Sequence, residues 1–269
     1  MNLRPKFREE HVVAIESFIA HHLRESGRKG LVVGMSGGLD SSLAAKLCVD
    51  AVGARKVLGL MLYDDATSPG DRKDARGMAK SLKISFRELS IAPMVDAFRR
   101  ALRIKSSQRV ALGNIKARCR MIVLYGVAGL ENRMVIGTSN KSELLTGYFT
   151  KAGDGMADFA PLGDLYKTQV REMARFLDLP KGILGKRPTA GLWKGQTDEK
   201  ELGISYSDLD RVLLGLELQL DADDISRKTG LSPAKVSLVE RLISQSVHKR
   251  KIPLIPKMGI RTLGLDWRE

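Results

Sequence analysis

Leu31-Val32-Val33-Gly34-Met35-Ser36-Gly37-Gly38-Leu39-Asp40-Ser41-Ser42 decides how the rest of the chain is read. Leu31 to Val33 supply an apolar run suited to a buried strand. Gly37 and Gly38 follow, and without side chains there the backbone can turn tightly and lie against a ligand. Ser36, Ser41 and Ser42 offer hydroxyls, and the first turn of the helix that follows offers unpaired N–H groups at its positive dipole end. Asp40 is negative and cannot attract phosphate itself. Its natural work in such a loop is to hold a divalent cation whose other ligands are phosphate oxygens.

Two common phosphate loops are excluded by spacing. The kinase-type loop needs a Gly-Lys-Ser/Thr ending, and no such lysine is present. Gly34, Gly37 and Gly38 do not have the dinucleotide-fingerprint spacing either. The stretch resembles the pyrophosphatase loop of ATP enzymes that cleave between the alpha and beta phosphates; the bland alternative is an ordinary glycine turn at a helix start.

Around this loop the chain alternates apolar runs with helical periodicity. An amphipathic helix opens it, marked by periodic apolar positions Val12, Val13, Ile15, Phe18, Ile19 and Leu23. Strands are expected at 31–35, 57–62, 85–89 and 134–137, with helices at 38–53, 71–83, 91–103 and 108–130 between them. This order predicts an α/β fold, a doubly wound and mostly parallel sheet with ligands beyond the carboxyl ends of its strands. After residue 160 the strand signal fades. A helix is expected over 164–179, a Gly- and Pro-rich loop over 182–195, and helices over 205–216 and 221–247. The expected organisation is one domain, 1–269, with 180–269 as an appended C-terminal helical lobe.

The 269 residues carry 45 basic and 31 acidic side chains, a net charge of +14, which favours polyanionic partners. Polyphosphate nucleotides meet that demand as well as nucleic acid does, and the absence of a long basic arm favours the nucleotide. No apolar run approaches the length that spans a bilayer, and Met1 to Lys6 lack the apolar stretch of a secretory signal. Cys48 and Cys119 fall within helical patterns, so neither a disulfide framework nor a cysteine metal site is expected, and a cytoplasmic location is the default.

A second block, Gly137-Thr138-Ser139-Asn140-Lys141-Ser142-Glu143-Leu144-Leu145-Thr146-Gly147-Tyr148, leaves a strand and starts a helix. Glu143 falls in that helix's first turn, on the rim where Asp40 stands, and the two carboxylates could share magnesium bound to a triphosphate. Alternatively Glu143 pairs with Lys141 or caps its helix. Thr150 to Asp158 is an irregular, glycine-rich loop. Its Asp154 and Asp158 could receive an ammonium ion and its proton, bind a ribose hydroxyl, or form a solvated acidic turn. Lys167, at a helix start, could present its charge to phosphates.

With these blocks in order, the chain resembles the ammonia-dependent NAD synthetases of the short bacterial and archaeal type. The resemblance rests on Ser36–Ser42, Lys116–Met121, Gly137–Gly147, Thr150–Asp158, Leu165–Gln169, Pro188–Gln196 with Glu201–Ser205, and His248–Arg250. It implies that ATP adenylates the nicotinate carboxylate of deamido-NAD, that pyrophosphate leaves, and that ammonia then displaces AMP to give NAD. It further implies that Asp40 and Glu143 are Mg2+ ligands, and that Ser36, Gly38, Ser41 and Ser42 hold pyrophosphate, with Gly34 and Gly37 in the same loop. Thr138, Lys167 and Thr189 match positions on the ATP phosphates, and Arg118 a position that reaches nucleotide. Asn114, Tyr148, Lys151, Asp154, Asp158, His248 and Lys249 fall on the dinucleotide side. Catalytic work would belong to Asp40, Lys167, Asp154 and Asp158. The resemblance also implies a homodimer with long helices such as 108–130 at the interface, and free or separately supplied ammonia, since the chain is too short for an added glutaminase domain.

Two departures stand out: residues 63–71 differ from the commoner wording around the adenine pocket, and Leu39 replaces a frequent glutamine. The rival readings are another AMP-forming amidating or tRNA-thiolating enzyme of the same superfamily, and a nucleic-acid-binding protein. The second rests on Asp221 to Lys251, which superficially fits a helix-turn-helix with a basic end, a pattern that unrelated proteins often match.

Overall fold

The apolar runs at 31–33 and 57–62 lie side by side at the centre of a four-stranded sheet. A computed structural model describes residues 3–251 and 253–262 of the chain; both ends of the expected 1–269 unit, and the end of its 180–269 lobe, lie outside the described residues. The strands are β1 (Gly30–Gly34), β2 (Val57–Tyr63), β3 (Ser85–Ser90) and β4 (Arg133–Ile136). They are all parallel, in the order β3-β2-β1-β4. The chain adds strands outward from β1 to β3, then returns to place β4 on the other side of β1. The crevice at the carboxyl ends of β1 and β4 is therefore the switch point where open α/β sheets take ligands.

Period-two alternation along β1 explains why both faces are covered. Leu31 and Val33 pack with helices α1 (Glu10–Glu25), α2 (Leu39–Val52) and α3 (Pro69–Ser81) on one side. Val32 joins Leu58, Leu60, Leu62 and Val135 under helices α4 (Ala92–Ala101) and α5 (Arg109–Glu131) on the other. β3 is one of the two edge strands, and it carries charge outward: Glu88 pairs with Arg72 (2.7 Å) and Arg76.

Some boundaries differ from expectation for local reasons. α3 starts at Pro69, not 71, because the Ser68 hydroxyl accepts the Asp71 N–H (3.0 Å) and proline suits a first helical turn. The helix expected over 164–179 is α7 (Lys167–Phe176), since Leu162 to Leu165 close a turn and Tyr166 is extended, its N–H held by Gln169 Oε1 (2.9 Å). A short helix, α8 (Lys181–Leu184), stands within the expected 182–195 loop.

Helix α6 (Lys141–Thr146) follows β4. The C-terminal helices are α9 (Asp198–Leu202), α10 (Tyr206–Glu217), α11 (Ala222–Thr229) and α12 (Pro233–Arg250). Their core of Leu202, Tyr206, Leu209, Val212, Leu213, Ile225, Val236 and Val239 is shared with Tyr166, and Leu145 and Tyr148 pack against it. The lobe and the sheet thus meet at α6 and α7. Among the described residues no helix is long and apolar enough to cross a membrane.

Candidate active site

The loop after β1 is built by its own hydroxyls. Ser42 Oγ donates to the Gly38 carbonyl (2.7 Å), Ser41 Oγ to the same oxygen (3.2 Å), and Ser36 N–H donates to Ser41 Oγ (3.2 Å). Gly37 has φ +76°, and a Cβ there would lie 2.2 Å from the Asp71 carbonyl oxygen, so no larger residue fits this turn. Lys186 Nζ ties the loop down by bonding the Gly37 carbonyl (2.8 Å), Asp71 (2.6 Å) and Asp74 (2.6 Å). Nothing in the sequence signalled Lys186, because its three partners lie more than a hundred positions away.

Beyond this loop opens a cleft of about 680 Å3, a volume in the range of small-molecule sites. Gly34, Ser36, Gly38, Asp40, Ser41, Thr138, Glu143 and Lys167 line its polar end. Leu60, Leu62, Val110, Met121 and Leu124 give it an apolar wall. Asn114, Tyr148, Asp154, Thr189 and Lys249 also line it.

At the polar end, residues from separate elements converge. Asp40 comes from the first turn of α2 and Glu143 from the first turn of α6. Glu143 completes a capping box: Asn140 Oδ1 accepts the Glu143 N–H (3.1 Å), and Glu143 Oε2 accepts the Asn140 N–H (3.2 Å). Capping and pointing at the rim are therefore compatible roles, because the two carboxylate oxygens divide them. Lys167, the first residue of α7, donates to Asp40 Oδ2 and to Glu143 Oε1 (3.3 Å). It is only 3% exposed.

Two further groups complete the cluster. Tyr206 OH lies 3.4 Å from Glu143 Oε1 and donates to Asp198 Oδ2 (3.1 Å). Asp198 is buried, lines the cleft, and leaves its other oxygen, Oδ1, without a hydrogen-bond partner. Sequence reading missed Asp198 and Tyr206, although Asp198 lies between two quoted blocks, Pro188–Gln196 and Glu201–Ser205. Burial, aided by Asp40 and Asp198 and opposed by Lys167, pushes the Glu143 carboxyl up to about 7. Burial also raises Asp198. Burial disfavours the Lys167 ammonium, yet Asp40 and Glu143 outweigh it and hold its pKa above the ordinary lysine value.

The remaining expected residues are distributed differently. Asp154 Oδ1 accepts the Thr150 N–H (2.9 Å), and Asn114 Oδ1 accepts the Thr150 hydroxyl (2.8 Å). Asp158 stands outside the cleft lining, where Oδ2 accepts the Val135 N–H of edge strand β4 (2.7 Å) and Oδ1 faces Tyr125 OH (3.4 Å). Arg118 and Lys151 are also outside it and meet each other, the guanidinium donating to the Lys151 carbonyl (3.2 Å). His248 is exposed on the last turn of α12. The basic end of that helix turns inward: Lys249 Nζ bonds the carbonyls of Gly147 (2.7 Å) and Phe149 (2.9 Å), and Arg250 bonds those of Leu144 (3.1 Å) and Leu145 (2.7 Å). These charges serve the end of α6, so they do not form the exposed basic edge that a groove-reading helix needs.

The unfamiliar stretch at 63–71 also acquires a structure. Asp64 is buried, with Oδ2 paired to Lys116 (2.8 Å) and Oδ1 accepting from Ala66 N–H (3.2 Å) and Thr67 Oγ1 (3.1 Å). Lys116 also donates to the Leu192 carbonyl (3.2 Å), which links the end of β2 to the loop carrying Thr189.

The donor set suits magnesium. Asp40 and Glu143 are hard oxygen ligands already converging on one cationic nitrogen, and Mg2+ commonly takes one or two carboxylates with substrate phosphates and water. Among the described residues no group of three or more His, Cys, Asp or Glu is placed to hold a metal ion.

Comparison with known proteins gives one consistent result. The NAD synthase family profile matches residues 11–253. The NH(3)-dependent NAD(+) synthetase of Thermococcus kodakarensis is 48% identical over 249 residues, covering 91% of this chain and 96% of that protein. The solved NMN synthetase of Francisella tularensis is 37% identical with a TM-score of 0.83, over 93% of this chain and 99% of that one. An NH3-dependent NAD synthetase from Campylobacter jejuni, solved with a nitrate ion, is 31% identical with a TM-score of 0.78, over 93% and 98%.

Proposed function

The chain belongs to the NAD synthase family and is an ATP-dependent ligase that forms NAD from deamido-NAD, ATP and ammonia; we propose that it works in two steps at this one rim. In the first, a nicotinate carboxylate oxygen attacks the alpha phosphorus of ATP, the bond to the beta-phosphate oxygen breaks, and pyrophosphate leaves. The observation that carries this assignment is the meeting of Asp40, Glu143 and Lys167 beside the Gly37-Gly38 turn. Ser36, Gly38 and Ser41 would cradle phosphate oxygens, with Thr138 and Thr189 reaching from the facing strand end and loop. Lys167 neutralises charge that develops on the phosphates. Mg2+ held by Asp40 and Glu143 would supply Lewis-acid stabilisation of that charge.

In the second step ammonia attacks the activated carbonyl carbon, AMP leaves, and the nitrogen gives up a proton. Asp154 and Asp158 were the expected acceptors, but each has an oxygen engaged by a backbone N–H. Asp198 is a further candidate: Tyr206 engages its Oδ2, while its Oδ1 lies buried in the cleft wall. Asp198→Asn is expected to raise the KM for ammonium about 10- to 100-fold, the worth of a charge-assisted hydrogen bond. ATP–pyrophosphate exchange should change far less. An unaltered ammonium KM in that variant would return the role to Asp154.

The assembled protein is read as a cytoplasmic homodimer. Arg118, Lys151 and Asp158, assigned to nucleotide by resemblance, lie outside the cleft of one chain and along α5, which also exposes Val110, Ile122 and Leu130. A second copy packed there would complete the dinucleotide site and cover those side chains. Two buried, unpaired cysteines support a reducing compartment. Residues 180–269 are read as an extension of the same catalytic unit, not as a separate domain.

The direct test is product analysis with deamido-NAD, ATP, Mg2+ and ammonium, with single omissions and a parallel arm in which nicotinate mononucleotide replaces the dinucleotide. NAD, AMP and pyrophosphate should appear together only in the full dinucleotide mixture. Faster amidation of the mononucleotide would shift the acceptor towards the reaction named for the Francisella tularensis protein.

A further inference from the structure

Helix α10 presents Tyr206 and Asp210 four residues apart, hence on one face. Tyr206 reaches Glu143, as described above. Asp210 is fully buried, and its carboxylate is divided between two other helices. Oδ1 accepts the hydroxyl proton of Ser142 (2.5 Å), in the first turn of α6. Oδ2 accepts the backbone N–H of Thr168 (2.7 Å), in the first turn of α7. Ser142 Oγ in turn accepts the backbone N–H of Lys167 (3.0 Å).

The residues next to these contacts are Glu143 and Lys167. Helix first turns have N–H groups without internal partners, and a buried acceptor that serves two such turns fixes their separation. The separation matters because Lys167 Nζ must reach Glu143 on one helix and Asp40 on another. We infer that Asp210 is a positioning residue of the synthetase reaction: by joining the first turns of α6 and α7, it holds Glu143 and Lys167 at working distance while touching no substrate itself. The inference rests on the reading of Lys167 and Glu143 as part of the catalytic rim. It also gives the C-terminal lobe a task, since the clamp between two loop-borne helix starts comes from α10.

Asparagine at 210 keeps the size of the side chain but leaves only one acceptor for two donors, so one helix start loses its anchor. A displacement of about 1 Å at a reacting group lowers turnover on the order of 10²-fold. The experiment measures kcat, KM for each substrate, the Mg2+ half-saturation and thermal melting for Asp210→Asn, Ser142→Ala, Lys167→Met, and Asp210→Asn combined with Lys167→Met. Asp210→Asn is expected to lower kcat about 10- to 100-fold, raise the Mg2+ half-saturation and leave KM for deamido-NAD within about twofold. In the Lys167→Met background it should lower kcat no further, since groups acting as one unit are not additive.

Equal fold losses in the two backgrounds would overturn the positioning role and make Asp210 an ordinary core residue. If Asp210→Asn does not fold, Ser142→Ala decides: it removes the α6 arm and the bond from the Lys167 N–H while leaving Asp210 on Thr168, and an unchanged kcat and Mg2+ half-saturation would overturn the proposal. Wild-type turnover by Lys167→Met would overturn the reading of the rim itself, a result distinct from additivity at Asp210.

Discussion

Asp40→Ala is expected to lower kcat/KM on the order of 10³-fold or more while leaving the protein folded. Asp40 is one of two carboxylates that converge on Lys167, and in the proposed reaction it holds the ion that offsets phosphate charge as the alpha phosphorus is attacked. That charge stabilisation is worth several kcal/mol in the transition state, and each ~1.4 kcal/mol is a factor of ten. Stability should suffer much less. Lys167 keeps Glu143 at 3.3 Å, Asn140 loses one 3.2 Å bond, and α2 keeps its apolar packing through Leu43, Ala44 and Leu47. Steady-state kinetics across a Mg2+ titration, with thermal melting alongside, is the check. Turnover at the wild-type rate would remove Asp40 from the mechanism.

Lys167→Met has the other large expected effect, and it acts on stability as well as rate. The ammonium is buried between Asp40 and Glu143, with Asp198 contributing to its field. Methionine preserves much of the apolar stem but leaves carboxylates facing one another in a poorly solvated site. Removing one partner from such a buried group costs about 3–5 kcal/mol. Turnover should fall on the order of 10²- to 10³-fold, as for other lost electrostatic donors at a reacting centre. Chemical denaturation and product assays measure the two effects independently. A variant as stable and as active as the parent would show that Lys167 is neither a structural nor a catalytic cation.

Much of the fold was legible because its signals are local. The 31–33 and 57–62 apolar runs and the helix periods between them depend on residues a few positions apart. The same holds for Asp40 and Glu143, each placed in a helix first turn by a motif on its own segment. Features settled by distant partners were less legible. Lys167 reads as a helix-start lysine whose charge could serve phosphates, but the carboxylates it meets come to it only when residues 40 and 143 are brought there. Asp158 reads as a free acid until the edge of β4 offers its Val135 N–H. The basic end of α12 suggests a nucleic-acid edge until the carbonyls at the end of α6 take up its charges.

The sequence by itself therefore determined the parallel α/β architecture, the serine- and glycine-rich turn after the first strand and two of the carboxylates on its rim. Hydrophobic period, glycine placement and helix capping act over a few residues and survive without knowledge of the rest of the chain. Only the tertiary structure decided which charges meet. It joined Asp40, Glu143 and Lys167, added Asp198 and Tyr206, and anchored two helix starts on Asp210. Those contacts span from 8 to 127 positions, and the ones that Tyr206 and Asp210 make to α6 and α7 form only when the lobe packs onto the sheet.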